Sequence, residues 1–247
     1  MLIFAWAFTP GAFAAAAKKQ DKIIQDIAGK MDAATVRIVT HHDNRVSGGT
    51  GFIVGDGYIV TSAHVINKHG KNMDFYVLNE RIQIQKASVV KKLHSGYVDL
   101  AVLRFDPPEG VELPILPLNL NAKEGDRVSA WGYPETMVTE VIDNYGKHQA
   151  IPAFHAEGKI LKIVQVRGRP GSSLILISVP VEDGYSGSAL VNEKGEIVGM
   201  NTWSTNRIED KKFLWGEAQA AVNIAYFLID CGITPNLVAG QSMPAKK

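Results

Sequence analysis

The sequence predicts an all-β fold made of two similar units. Two observations point to it: short apolar runs separated by turn residues, and a Pro-rich stretch in the middle of the chain. In the first half the runs are Thr35 to Thr40, Gly51 to Val54, Tyr58 to Ser62, Phe75 to Leu78, Ser88 to Val90 and Leu100 to Phe105. Asp43-Asn44, Gly55-Asp56-Gly57 and Asn67 to Gly70 punctuate them. Pro107-Pro108 through Pro114 and Pro117 then lead to a second set. That set includes Arg127 to Trp131, Lys159 to Val166, Ser173 to Val179, Ala189 to Asn192 and Ile197 to Thr202. Runs of this length and spacing do not alternate with helical patterns, which argues against a parallel α/β sheet.

Helical signals are confined to the two ends. Ile23, Ile24, Ile27 and Met31 recur at three- and four-residue spacing, one face of a short amphipathic helix. Val222 to Leu228 lacks strand punctuation and reads as a closing helix. The organisation expected from these signals is a leader over 1–17, a helical segment over 18–34, a first β unit over 35–120, a second with its closing helix over 121–235, and a tail over 236–247.

The chain of 247 residues is long enough for one large core or two small ones. Its formal net charge of +1 provides no field to recruit nucleic acid or an anionic membrane. The single cysteine, Cys231, excludes an intrachain disulfide, so the fold is held by its core alone. Cys231 follows an apolar run and reads as a buried inert thiol. The first residues run MLIFAWAF, then Thr9-Pro10-Gly11, then Ala-rich sequence before Lys18. An apolar core, a break and small residues at A-x-A spacing resemble a secretory signal, cleaved between Ala14 and Lys18, and imply a secreted or periplasmic protein with no stable membrane insertion afterwards. No Lys or Arg precedes the apolar stretch, so a true start lying upstream and an uncleaved anchor are the alternatives. His41-His42-Asp43 reads as a turn at a barrel rim, since no ligands at zinc spacing accompany it; no metal and no cofactor are expected.

Three segments carry chemistry together: Gly49-Thr50-Gly51-Phe52-Ile53-Val54 followed after a turn by Tyr58-Ile59-Val60-Thr61-Ser62-Ala63-His64, Tyr97-Val98-Asp99-Leu100-Ala101-Val102-Leu103, and Asp183-Gly184-Tyr185-Ser186-Gly187-Ser188-Ala189-Leu190. A serine hydroxyl is a weak nucleophile and needs a general base, which histidine supplies near neutral pH. The second ring nitrogen needs a carboxylate to fix the tautomer and stabilise the imidazolium. Developing negative charge on an acyl oxygen needs donors placed beforehand, and glycines beside the serine let backbone N–H groups turn inward. His64, Asp99 and Ser186 are the candidate triad, and the N–H groups of Gly184 and Ser186 are the candidate oxyanion hole.

These motifs, in the order His, Asp, Ser, resemble the chymotrypsin superfamily. The first resembles T-[AS]-A-H, the second D-[IL]-A-[LV]-[IL], and the third G-[DN]-S-G-[GS]. Asn192 to Met200 resembles the hairpin that follows the nucleophile in bacterial members, and Gly199 to Ser204 resembles the G-x-x-S-W-G substrate-binding segment. The style is that of bacterial HtrA-like and glutamyl-endopeptidase-like proteases, over about Ala33 to Leu228. The resemblance implies two six-stranded antiparallel barrels, with the site between them and a polypeptide as substrate. Thr202, Trp203 and Ser204 would pair with the substrate backbone.

Departures from the family pattern narrow what it implies. Tyr185 stands where digestive members carry an Asp that binds a new N-terminus, so that mode of activation is not expected. Pro180 stands where trypsin-like enzymes carry an Asp for Lys or Arg, and Thr202 where glutamyl endopeptidases carry His. Ser204, Gly216 and Ala218 then imply a pocket of small walls for small or medium apolar side chains. The alternative, with a shifted loop, lets Glu182 or Asp183 reach that pocket. Only about a dozen residues follow the last apolar segment, so no PDZ domain is expected within this sequence. An inactive peptide-binding barrel pair and an esterase on the same triad remain open as other classes, as does the oligomeric state.

Overall fold

A computed structural model of the chain describes residues 27–42, 45–67, 73–135, 151–166, 172–206 and 213–244. The leader over 1–17, Ile23, Ile24 and the Asp43-Asn44 turn lie outside the described residues. The fold is two closed six-stranded antiparallel barrels, flanked by a short helix on either side in sequence, as expected. The first barrel is formed by β1 (Thr35–His42), β2 (Arg45–Gly55), β3 (Tyr58–Thr61), β4 (Asp74–Asn79), β5 (Gln83–Ser95) and β6 (Val98–Phe105), and β1 closes it against β4. The second is formed by β7 (Arg127–Gly132), β8 (Phe154–Gln165), β9 (Ser173–Ile177), β10 (Ala189–Asn192), β11 (Ile197–Asn206) and β12 (Phe213–Ala220), and β7 closes it against β10. Residues 27–34 form helix α1, and Ala221–Asp230 form helix α2.

Strand periodicity distributes the apolar side chains among three cores. On β6, Ala101, Leu103 and Phe105 point into the first barrel, while Val98, Leu100 and Val102 point outward. The outward set is not solvated. It joins Phe52, Val54 and Val60 against Trp131, Ala189, Val191 and Met200 of the second barrel, with Met31 of α1 and Ile224, Phe227 and Leu228 of α2. A strand buried on both faces reads as a near-continuous apolar run, and β6 does so from Leu100 to Leu103. The second barrel encloses its own core, including Ile175, Ile177, Val179, Leu190 and Val198.

Two elements exceed what apolar runs mark. β5 runs for 13 residues although its apolar signal covers only Ser88 to Val90. It is held by ladders to β4 and β6 while residues 88–95 stay exposed. β12 has no clear alternation in sequence, yet pairs with both β11 and β9. The Pro-rich crossover is stitched down as well. Leu118 N–H donates to Asn236 O at 2.7 Å, and Ile197 N–H donates to Pro117 O at 2.8 Å.

Phe52 is fully buried in the core shared by the barrels. Phe52→Ala is expected to cost about 3–5 kcal/mol through lost transfer energy and the cavity left behind. The check is the urea midpoint, with an unchanged slope showing that the unfolding transition itself is preserved.

Candidate active site

His64 is presented by the turn that follows β3. Val65, Ile66 and Asn67 N–H groups donate to the carbonyls three residues earlier, each at 3.2 Å, which makes one tight helical turn. Ala63, Val65 and Ile66 plug the end of the first barrel, and this leaves the half-buried His64 ring facing outward. Asp99 lies one residue into β6, 5% exposed. Its Oδ1 accepts the His64 backbone N–H at 2.9 Å, and its Oδ2 accepts the ring Nδ1–H at 2.5 Å. One carboxylate thus fixes both the backbone and the imidazole, and a proton on Nδ1 leaves Nε2 free to act as a base.

Ser186 comes from the second barrel, in the loop before β10. Gly184 and Gly187 flank it with φ of +97° and +87°, conformations that L side chains rarely adopt. There is no room for a side chain either. A Cβ on Gly184 would lie 2.2 Å from Tyr133 O, and one on Gly187 would lie 2.1 Å from Thr50 O. The loop is closed by Tyr185 N–H to Glu182 O at 3.1 Å, Ser188 N–H to Tyr185 O at 2.9 Å and Gly187 N–H to Asn201 O at 2.8 Å. Among the described residues, the N–H groups of Gly184 and Ser186 have no acceptor. The Ser186 hydroxyl donates to Thr202 O at 3.3 Å. Ser188 is fully buried, and its Oγ accepts from Asn201 Nδ2 at 2.8 Å.

Thr50, on β2 of the first barrel, ties this loop down. Its Oγ1 donates to Gly184 O at 2.7 Å and accepts Tyr133 N–H at 2.9 Å. Its own N–H donates to Ser186 O at 2.9 Å, and its carbonyl accepts from Thr61 Oγ1 at 2.7 Å. Ser62 adds a second link across the barrels, from its Oγ to Asn201 O at 3.3 Å. The sequence places Thr50 in the segment that leads to His64 but assigns it no role. The signal available was Gly49-Thr50-Gly51, a hydroxyl between two glycines that let other chains approach closely.

Thr202, Trp203 and Ser204 lie on β11 beside the loop. The Trp203 ring, 60% exposed, sits 5.5 Å from the His64 ring at 31°, and Thr202 Oγ1 donates to Glu217 O at 3.1 Å. Tyr185 points the other way, into the core of the second barrel, and burial and then the nearby Glu182 charge push its hydroxyl pKa up. Glu182 and Asp183 are exposed, and so is Pro180, while the neighbouring Val181 is buried. Gly216 faces Ile177 and Val181: a Cβ there would meet Ile177 Cγ1 at 3.0 Å and Val181 Cγ2 at 3.2 Å. Deeper in the seam, burial lowers the Arg37 pKa to about 10, although the guanidinium stays charged at neutral pH. No group of three or more His, Cys, Asp or Glu side chains is suited to a metal among the described residues.

Thr50→Val keeps the shape but leaves Gly184 O and Tyr133 N–H without their buried partner. Each such loss costs about 1–3 kcal/mol, so the variant is expected to lose about 2–6 kcal/mol, and Thr50→Ser less than about 1 kcal/mol. Paired denaturant titrations check this, and equal midpoints for the two variants would remove the hydroxyl from the account.

Comparison with known proteins follows the same lines as the geometry. A family model described as a trypsin-like peptidase domain matches residues 49–200. The chain is 30% identical over 191 residues to the serine protease HTRA1B of Danio rerio, which covers 72% of this chain and 36% of that protein. It is 31% identical over 168 residues to the serine endoprotease DegS of Salmonella typhimurium, which covers 66% of this chain and 41% of that protein. The chain thus spans less than half the length of these relatives. The solved structure of a serine endoprotease from Yersinia pestis aligns with a TM-score of 0.63 at 25% identity, covering 84% of this chain and 65% of that one. With its two closed barrels, the three motifs in order and a family match over residues 49–200, the chain belongs to the family of trypsin-like peptidase domains.

Proposed function

We propose that the protein is a serine endopeptidase in which His64, Asp99 and Ser186 form the triad and the N–H groups of Gly184 and Ser186 form the oxyanion hole. The observation that carries this reading is the Asp99–His64 pair, bonded through both carboxylate oxygens, together with a serine loop in which the N–H groups of Gly184 and Ser186 have no acceptor among the described residues. In the first step the Ser186 hydroxyl exchanges Thr202 O for His64 Nε2. It then attacks the substrate carbonyl while Nε2 takes its proton. The imidazolium is stabilised by Asp99, and the oxyanion is held by the two N–H groups. His64 returns the proton to the leaving amine, and water resolves the acyl-enzyme by the same route in reverse. The substrate backbone is placed as an extended strand along Thr202, Trp203 and Ser204. The barrel units and their closing helix are assigned to 35–120 and 121–235, and the leader-like sequence over 1–17 supports a secreted or periplasmic location.

Ser186→Ala is expected to abolish covalent labelling by a fluorophosphonate with the fold intact, while Ser188→Ala retains it. Labelling that follows Ser188 instead would reassign the nucleophile. Asp99→Asn is expected to lower kcat by roughly 10⁴, the loss known for this change in a serine protease triad. Turnover within a few-fold of wild type would remove Asp99 from the machinery.

Specificity is read for a small or medium aliphatic residue before the cleaved bond. Ile177 and Val181 crowd the space at Gly216, and Glu182 and Asp183 are exposed. A buried Lys or Arg side chain would lack a counter-charge, at a cost of several kcal/mol. A buried aliphatic side chain gains roughly 1.5–3 kcal/mol. Cleavage of a peptide library should therefore favour Ala, Val and Leu at that position, and dominance by Lys or Arg would refute the pocket assignment.

A further inference from the structure

On β12, Ala218 and Ala220 face the core of the second barrel. Gln219, between them, faces the other way, toward the first barrel, and is only 1% exposed. A primary amide at that depth needs partners at both ends, and it has them. Gln219 Nε2 donates to Tyr97 O at 2.7 Å, and Gln219 Oε1 accepts from Asn223 Nδ2 of α2 at 3.0 Å. Asn223 in turn clamps the start of β9, donating to Ser173 O at 2.8 Å and accepting Ser173 N–H at 3.0 Å. This network fixes which end of the Gln219 amide is the donor, because only an N–H can face the Tyr97 carbonyl. A chain of buried amides therefore runs from the second barrel to one carbonyl of the first.

That carbonyl belongs to the turn from which Asp99 starts. Ser95 pairs with Val98 across the two-residue connection Gly96-Tyr97, and His94 pairs with Asp99. The flank of this hairpin is bare: residues 88–97 are exposed, and the Tyr97 side chain is 65% exposed. Asp99 takes its two hydrogen bonds from His64, within its own barrel. Among the described residues, the Gln219–Tyr97 bond is the one hydrogen bond that joins residues 95–98 to the barrel that carries Ser186.

We infer that Gln219, braced by Asn223, is a positioning residue: its hydrogen bond to the Tyr97 carbonyl sets where the Asp99–His64 pair stands relative to Ser186. The inference rests on the serine-protease reading of this site. A base displaced by a fraction of an ångström from its nucleophile loses much of its effect, so the consequence falls on the chemical step and not on substrate binding.

The test compares full-length wild type, Gln219→Met, Gln219→Glu and Ser186→Ala. Three quantities are measured for each: the fluorophosphonate labelling rate across pH, kcat and KM on a cleaved peptide, and the thermal midpoint. Met keeps the length of the side chain and loses the donor, while Glu sets an oxygen against the Tyr97 carbonyl. Both are expected to lower labelling and kcat at least ~10-fold and to displace the acid limb of the rate profile, with KM within about two-fold. Should Gln219→Met not fold, Asn223→Asp decides the matter. It keeps the acceptor for Ser173 N–H, removes the donor to both Gln219 Oε1 and Ser173 O, and is expected to give a smaller loss in the same direction. Wild-type kcat with an unmoved pH profile in the folded variants overturns the inference. Labelling that is absent from wild type, or that survives Ser186→Ala, overturns the protease reading itself, so the two failures are told apart.

Discussion

Ser186 and the His64–Asp99 pair stand on different barrels, and everything in the site depends on how the two barrels are held against each other. Thr50 is the centre of that constraint. One threonine of the first barrel bonds Gly184 O, Ser186 O and Tyr133 N–H of the second through its hydroxyl and its backbone N–H. Its carbonyl is held by Thr61, three residues before His64. The same residue is therefore tied to the loop that carries the serine and to the strand that delivers the histidine. The neighbouring glycines follow from it: a side chain on Gly187 would run into the Thr50 carbonyl.

Hydrogen bonds of this kind orient the barrels but are too few to join them. Adhesion comes from the apolar seam. β2, β3 and β6 bury one face in the first barrel and the other against the second barrel and the helices. Without a disulfide, this double burial is what keeps the cleft at a fixed width. It also explains why α1 and α2 matter to a β protein. Met31 and Phe227 seal the edges of the seam, and α2 supplies the asparagine that braces Gln219.

Two polar side chains of the seam are matched locally, while Arg37 Nη1 and Asn201 Oδ1 are buried without a hydrogen-bond partner among the described residues. Asp99 is buried but gives each of its oxygens to His64, and the Ser188 hydroxyl is taken up by Asn201. Tyr185, beside Ser186, is turned into the second core and shapes the loop through contact, not charge. The site is thus preorganised by hydrogen bonds to backbone atoms, and in the proposed mechanism the Ser186 hydroxyl turns away from Thr202 O.

The sequence by itself determined the local features: eleven of the twelve strands as apolar runs, the crossover between two units, the closing helix, and the residues His64, Asp99 and Ser186 in their flanking motifs. These are legible because burial imposes a period of two on a strand, and because tight turns demand glycine next to the residue they expose. Tertiary structure alone decided the rest. β12 is a strand because β9 and β11 offer it ladders on both sides, and β5 runs far beyond its apolar stretch for the same reason. Thr50 and Gln219 acquire their roles from partners 134 and 122 residues away. A hydrogen bond between groups so distant in the chain leaves no periodicity in the sequence around either of them. It exists only once two barrels have closed and met.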